Sequence, residues 1–389
     1  MRIPDDIAAD LDFLTALRHD LHAHPELGFE EVRTSEIVSR LLGEASIAVH
    51  RGLGGTGVVG TLKVGDGGRR IGLRADMDAL AMPETAQRAY ASTTPGKMHA
   101  CGHDGHTAML IGAARHLAAS RNFSGTVHFI FQPAEEGRGG ARRMVEDGLF
   151  DLFPCDAVFG LHNMPGLAVD EIAVVEGPQL ASSDSWRLTF RGVGGHGAKP
   201  HLAHDPIGPA ASFLAALQTI VGRVVDPLEP AVVSACYLKA GDSKALNVIP
   251  DCVEIGGTAR AYSPRVRDQL EAEIGRLAQG AAAMAGVEAE YAFERRIPPV
   301  VNDADTTARA QRAARGVFAD RVLTRFPPST AGDDFAFLAA GAPGCYAWIG
   351  NGPARDGALH HNSGYDFNDG ALAPGAAYWS ALVEHELRP

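Results

Sequence analysis

Apolar residues recur at helical spacing in DIAADLDFLTALRHDL, which predicts a helix from Asp5 to about Leu21 and a second near Thr34–Leu42. Between them, LHAHPELGFEE carries His22, His24 and Glu26; the two histidines read equally as buried hydrogen-bonding groups or as residues supporting a site from behind. Three later segments are short apolar runs, as buried sheet strands should be. IGLRA stops at Asp76-Met-Asp78, TVHFIFQP at Glu135-Glu136, and AVFGL at His162. HTAMLIGAARHLAAS reads as a helix entered from a polar loop. Helices near Ala304–Phe318 and Asp333–Ala340, a strand CYAWIG and a terminal helix from Leu372 complete this pattern.

From about Ser183 the texture changes. WRLTFRG, AVVSACYLKAG, DCVEIGGTARAY and VEAEYAFER alternate or read as strands, and two helical stretches, DPIGPAASFLAALQTIVGRVV and SPRVRDQLEAEIGRLAQGAAAMAG, fall among them. The order β-α-β-β-α-β is that of a ferredoxin-like module with one covered and one polar sheet face. The predicted fold is therefore α/β. A catalytic domain, residues 1–182 and 299–389, holds a mixed, mostly parallel sheet flanked by helices, and residues 183–298 form an inserted α+β domain.

A chain of 389 residues is long for one core, which agrees with two domains. Its net charge of −12 disfavours nucleic acid and anionic membranes as partners. Five scattered cysteines suit reduced thiols in a cytoplasmic protein better than a disulfide framework. The acidic, amphipathic start does not read as a signal peptide, and no apolar run is long enough for a membrane span.

The candidate chemistry concentrates in Met98-His-Ala-Cys-Gly-His-Asp-Gly-His-Thr-Ala108. A thiol at Cys101 beside an imidazole at His103 suits Zn²⁺ or a similar metal, although two ligands do not make a site. The three strands that end in acids or a histidine strengthen the case, because sites in open α/β sheets form at the carboxyl ends of strands. Two glycine-rich stretches carry less. Gly52-Leu-Gly-Gly-Thr-Gly57 has the GxGxxG form but leads into the strand VVGTLKV, so it reads as a hairpin connection and not a dinucleotide site. RGVGGHGAKPH lacks the terminal Lys-Ser/Thr of a phosphate loop and reads as a mobile turn presenting His196.

Taken together, LHAHPELGFEE, RADMDAL, MHACGHDGHTAML, FQPAEEG, GLHNMPG, GGHGAKPH, NVIPD, GTAR and HHNSGYDFND resemble the metal-dependent amidohydrolases typified by hippurate hydrolase, N-acyl-amino-acid aminoacylases and auxin-conjugate hydrolases. Carboxypeptidase G is a more distant relative. The resemblance runs from about His22 to Asp369. It implies two divalent metal ions held by Cys101, His103, Glu136, His162 and His361, with Cys101 bridging. Of the adjacent pair His360-His361, the latter matches because the family's ligand stands four residues before the tyrosine, here Tyr365. It further implies Glu135 as the catalytic carboxylate, Asp78 as the acid supporting the site, and His196, Asn247 and Arg260 as groups that contact substrate. Zn²⁺ is the first candidate, with Mn²⁺, Co²⁺ and Ni²⁺ open.

There are departures. Asp76 stands where carboxypeptidase G-like relatives have a ligand histidine, the usual Glu-Asp-Phe becomes Asp333-Asp334-Phe335, and HHNSGYDF replaces the commoner His-Ser-Pro form. The implied activity is hydrolysis of N-acyl amino acids, hippurate-like or acetylated. A dipeptidase or carboxypeptidase on the same scaffold, or a non-catalytic metal-stabilised binding protein, are the alternatives. In the family the histidine matching His196 reaches the neighbouring subunit's active site, which implies a homodimer, or a dimer-based tetramer, through the inserted domain.

Overall fold

The computed structural model describes residues 1–354 and 359–388. The chain divides into two compact units: Met1–Gly177 with Val301–Pro327 and Asp333–Pro389, and Pro178–Val300 with Pro328–Gly332.

The larger unit is built on an eight-stranded sheet. At its centre, strands Gly125–Gln132, Arg70–Asp76, Ala157–Met164 and Gly344–Gly350 lie side by side and run parallel. Antiparallel pairs occur toward both edges, where Ala48–Leu53 joins Gly57–Val64 and Gly344–Gly350 meets Ile172–Ala173. The sheet is thus mixed and mostly parallel. Its central strands are buried along nearly their whole length, since helices cover both faces. Helices Leu11–Ala23, His103–Ser120, Ala304–Phe318 and Leu372–Glu386 contribute Leu14, Met109, Val317 and Trp379 to one continuous core.

Parallel neighbours have their carboxyl ends on the same edge of a sheet. Asp76, Gln132 and Met164 therefore finish together, and the acids and histidines after or near them share one rim. The strand containing His162 continues two residues past it, because Asn163 and Met164 keep pairing with Ile349 and Gly350. Gly52–Gly57 is a hairpin connection: Leu53 pairs with Gly57, and Gly52, Gly54 and Gly55 all take positive φ. The first predicted helix is broken at Asp10. Its carboxylate accepts from Arg115 at 2.8 Å, and its carbonyl accepts the first bond of the next helix from Leu14.

The smaller unit holds an antiparallel sheet of Ala231–Ala240, Cys252–Ala261, Ser183–Arg191 and Glu288–Ile297, in that order across the sheet. With helices Ile207–Leu217 and Pro264–Ala285 this is the ferredoxin-like arrangement. Trp186, Leu188 and Phe190 alternate inward along one strand and pack with Phe213, Leu270 and Ile274 from the helices. The long helix is delimited by local chemistry: Ser263 caps Val266 N–H, Pro264 occupies the first turn, and Gly286 ends it in the left-handed region. No helix among the described residues is long and apolar enough to cross a membrane.

Candidate metal centre

Gly102 opens helix His103–Ser120 at φ 94°, a left-handed position that favours glycine. The space is also closed to a side chain. A Cβ on Gly102 would lie 2.6 Å from both Asn163 Oδ1 and Tyr365 Oη, and one on Gly105 would lie 2.4 Å from the Phe367 ring. The cysteine loop is thereby pressed onto the strand that carries His162 and onto the chain after His361. His361 N–H closes the contact by donating to the Ala100 carbonyl at 2.9 Å.

Five side chains converge as a result. Cys101 Sγ is 3.5 Å from His162 Nε2. Cys101, Glu136 and His361 place ligand atoms within 4.8 Å of one another. Glu136 Oε1 is 3.3 Å from His361 Nε2 and 4.0 Å from His103 Nε2. The other member of the histidine pair, His360, packs edge-on against His162, with ring centroids 5.0 Å apart, and its Nε2 is 3.1 Å from Asn163 Nδ2.

Asp78 organises the two glutamates. Its carboxylate accepts the backbone N–H of Glu135 and of Glu136, each at 3.0 Å, so their side chains leave adjacent positions in different directions. Glu136 faces His361, and Glu135 lies within reach of Asp333 and Asp334. The Asp78 carbonyl accepts from His103 Nδ1 at 2.9 Å, and the Asn163 carbonyl accepts from His162 Nδ1 at 2.8 Å. A carbonyl only accepts, so both rings carry their proton on Nδ1 and turn Nε2 toward the cluster. Histidines that hold metals are oriented in this way.

The electrostatics are set by burial and by the acids and histidines around the cluster. Burial, reinforced by Glu136, Glu135 and Asp76, pushes the Cys101 thiol well above its usual range. Burial, with Asp333, Glu136 and Asp334 nearby, likewise lifts the Glu135 carboxyl far above the ordinary carboxylate range. For His103, burial alone would lower the ring, but Asp76, Asp78 and Glu136 outweigh it and raise it to about 10. His162 is held neutral, well below its usual value, by burial and by His106 beside it. His103 Nε2 and Glu136 Oε1 are buried without a hydrogen-bond partner among the described residues. A thiol, imidazoles and a carboxylate converging on one point fit a zinc-like metal.

Several residues around the centre carried no role in the sequence reading. Arg74 is fully buried and pairs with Asp76 at 2.7 Å, Asp333 at 3.0 Å and Asp334 at 3.4 Å. Asp76 also meets His106 Nδ1 at 2.5 Å, and Asn163 N–H donates to His106 Nε2 at 3.1 Å. An arginine inside the apolar run IGLRA was the available signal, because a buried guanidinium requires acids around it. His22 is buried against Asp104 at 2.8 Å and Glu84 at 3.3 Å, whereas His24 is part-exposed and bonds the Asp20 carbonyl.

His196, Asn247 and Arg260 lie in the smaller unit. The stretch around His196 is not a loose turn, as the sequence suggested. Gly195–His196 pairs with Val248–Ile249, and Gly197 N–H donates to the Asn247 carbonyl at 2.7 Å. This pairing brings His196 and Asn247 together. Arg260 is half-buried, donates to Ser183 Oγ at 2.6 Å and makes no ion pair among the described residues. A salt bridge on the polar sheet face does not account for it.

Residues 72–385 match the family model described as peptidase family M20/M25/M40. The chain is 41% identical over 373 residues to hippurate hydrolase of Campylobacter jejuni, covering 96% of each protein. It is 38% identical over 380 residues to N-acetylcysteine deacetylase of Bacillus subtilis, covering 96% of this chain and 98% of that one. A solved structure from B. subtilis, described as a dinuclear metal-binding peptidase of the M20 family, aligns with a TM-score of 0.85 at 35% identity, covering 98% and 99% of the two chains. On a match spanning most of its length, and on relatives similar from end to end, the chain belongs to the hydrolases of peptidase family M20/M25/M40.

Proposed function

We propose that the chain is an N-acyl-amino-acid amidohydrolase that releases a carboxylic acid and a free amino acid. One observation carries the reading most: a single carboxylate, Asp78, holds neighbouring Glu135 and Glu136 by their backbones, an arrangement that supports a division of labour between them. Glu136, with Cys101, His103, His162 and His361, would hold two divalent cations, Zn²⁺ first among them. Cations bound there would polarise the scissile carbonyl and ease deprotonation of the attacking water.

Glu135 stands beside that set, with a carboxylate oxygen within 4.8 Å of ligand atoms of His103 and Glu136. Its buried carboxylate, beside the proposed ligands, suits a group that takes a proton from water and then delivers it to the departing nitrogen. His196 would donate to the developing oxyanion, since its Nδ1 is occupied by Ala198 N–H at 3.1 Å and Nε2 remains available. Arg260 forms no ion pair among the described residues, so its guanidinium fits the free carboxylate of an N-acyl amino acid, with Asn247 as a polar contact. Similarity to a hippurate hydrolase and an N-acetylcysteine deacetylase supports this substrate class over unblocked peptides.

A homodimer through the smaller unit belongs to the same reading. Strand Ala231–Ala240 is an open sheet edge that exposes Tyr237 and Leu238, and Leu228 and Leu246 nearby in the chain are almost fully exposed.

The experiment is Glu135→Gln in metal-loaded protein, assayed against a panel of N-acyl amino acids and unblocked dipeptides. Loss of turnover by about a thousandfold or more, with metal content unchanged, is the expected result. Substantial residual activity removes Glu135 as the base. Preference for dipeptides moves the assignment to a peptidase.

A further inference from the structure

Two stretches that stand out in the sequence take no part in this chemistry: Leu27-Gly-Phe-Glu-Glu31 and the glycine loop Gly52–Gly57. Both arrive at the same place. Pro133-Ala134 is the corner between strand Gly125–Gln132 and Glu135, and Ala134 turns it at φ 55°. Residues with a Cβ seldom adopt that conformation, and it persists only where the surroundings impose it.

The surroundings here are specific. Ala134 N–H donates to Glu31 Oε1 at 2.8 Å, and Thr56 Oγ1 donates to Glu31 Oε2 at 2.5 Å. Glu31 is fully buried and forms no ion pair among the described residues. Gly28 lies against the corner so closely that a Cβ there would come 2.9 Å from Ala134 Cα. On the other side, Cβ atoms on Gly54 and Gly57 would lie 3.3 and 3.2 Å from the Pro133 ring. A buried carboxylate without a cation is costly, and an apolar side chain would pack there without that cost. Both oxygens of Glu31 go to the corner and to the hydroxyl that braces it, so its use is geometric.

We infer that Glu31, braced by Thr56, is a positioning residue that fixes the left-handed Ala134 peptide and so sets the direction in which Glu135 presents its carboxylate. The inference rests on the reading of Glu135 as the general base. It requires an oxygen acceptor at position 31 and not a negative charge. Burial already pushes this carboxyl up to about 7, and its oxygen accepts from Ala134 N–H in either protonation state.

The test compares Glu31→Gln, Glu31→Leu and Glu31→Leu/Ala134→Gly in metal-loaded protein, measuring kcat, KM and metal content. Gln keeps an acceptor oxygen and should retain most of kcat. Leu removes it and should lower kcat by about 10- to 100-fold, with KM and metal stoichiometry unchanged. Glycine adopts positive φ without strain and should restore part of the loss. Wild-type kcat in Glu31→Leu, or equal damage from Gln and Leu, overturns the inference. Should Glu31→Leu fail to fold, Thr56→Val takes its place, with a smaller fall in kcat expected and an unchanged kcat contradicting the idea. Activity surviving in Glu135→Gln sinks the general-base reading instead, so the two failures are distinguishable.

Discussion

Asp104 is buried between two cations, His22 at 2.8 Å and Arg18 at 3.3 Å, one helical turn from the cysteine loop. Burial lowers the His22 ring, but Asp104 outweighs it and raises His22 to about 9. A histidine whose folded pKa exceeds its ordinary value stabilises fully below about pH 6.5 and loses that contribution as pH rises through 9. Asp104→Asn should therefore cost about 3–5 kcal/mol at pH 6 in denaturant melts, and less at pH 10. An equal cost at both pH values would show that the pair is not charged. Glu31 follows the same rule over a lower range of pH. Burial raises its carboxyl from 4.5 to about 7, so the fold favours the neutral acid, and that contribution is fully present below about pH 4.5 and lost as pH rises through 7. Above pH 8, Glu31→Gln should gain up to roughly 3 kcal/mol over the parent, and identical pH profiles would contradict this. Cys101, His103, Glu136, His162 and His361 were legible in the sequence because their chemistry stands out locally and matches a family pattern. Arg74, Asp104 and Glu31 were not, because the partners that explain them lie far along the chain, at Asp333, Arg18 and Ala134.

At the scale of elements, the site depends on how closely helix His103–Ser120 approaches the chain after His361. Gly105→Ala would drive a methyl group into the buried Phe367 ring, 2.4 Å away before relaxation. It should cost about 1–3 kcal/mol and weaken metal binding, because the loop bearing Cys101 must shift with the helix. Unchanged metal affinity in a destabilised variant would separate packing from the site. The strands were readable because apolar runs without alternation belong to sheets covered on both faces. The break at Asp10 was not, because the helical period continues across it and the interruption comes from Arg115, distant in sequence. The paired ribbon at His196 was hidden for a related reason: glycine-rich sequence suggests a turn, and its pairing partner Val248–Ile249 lies some fifty residues on.

At the scale of the molecule, an acidic chain of two units carries a largely buried cluster of metal-type donors in the larger unit, and His196, Asn247 and an arginine that forms no ion pair among the described residues in the smaller. If the open edge at Ala231–Ala240 joins two copies, sedimentation should give twice the chain mass, and a proline at Leu238 should shift it toward the monomer. A monomeric parent protein would remove the dimer from the account. The central claim is that cations held by Cys101, His103, Glu136, His162 and His361 drive hydrolysis of an acylated amino acid. Metal-stripped protein titrated with Zn²⁺, with bound metal and hippurate hydrolysis followed together, tests it most directly. Turnover that is absent without metal and reaches its plateau at two ions per chain is the predicted result; full hydrolysis by the metal-free protein, or no metal retained at all, would contradict it.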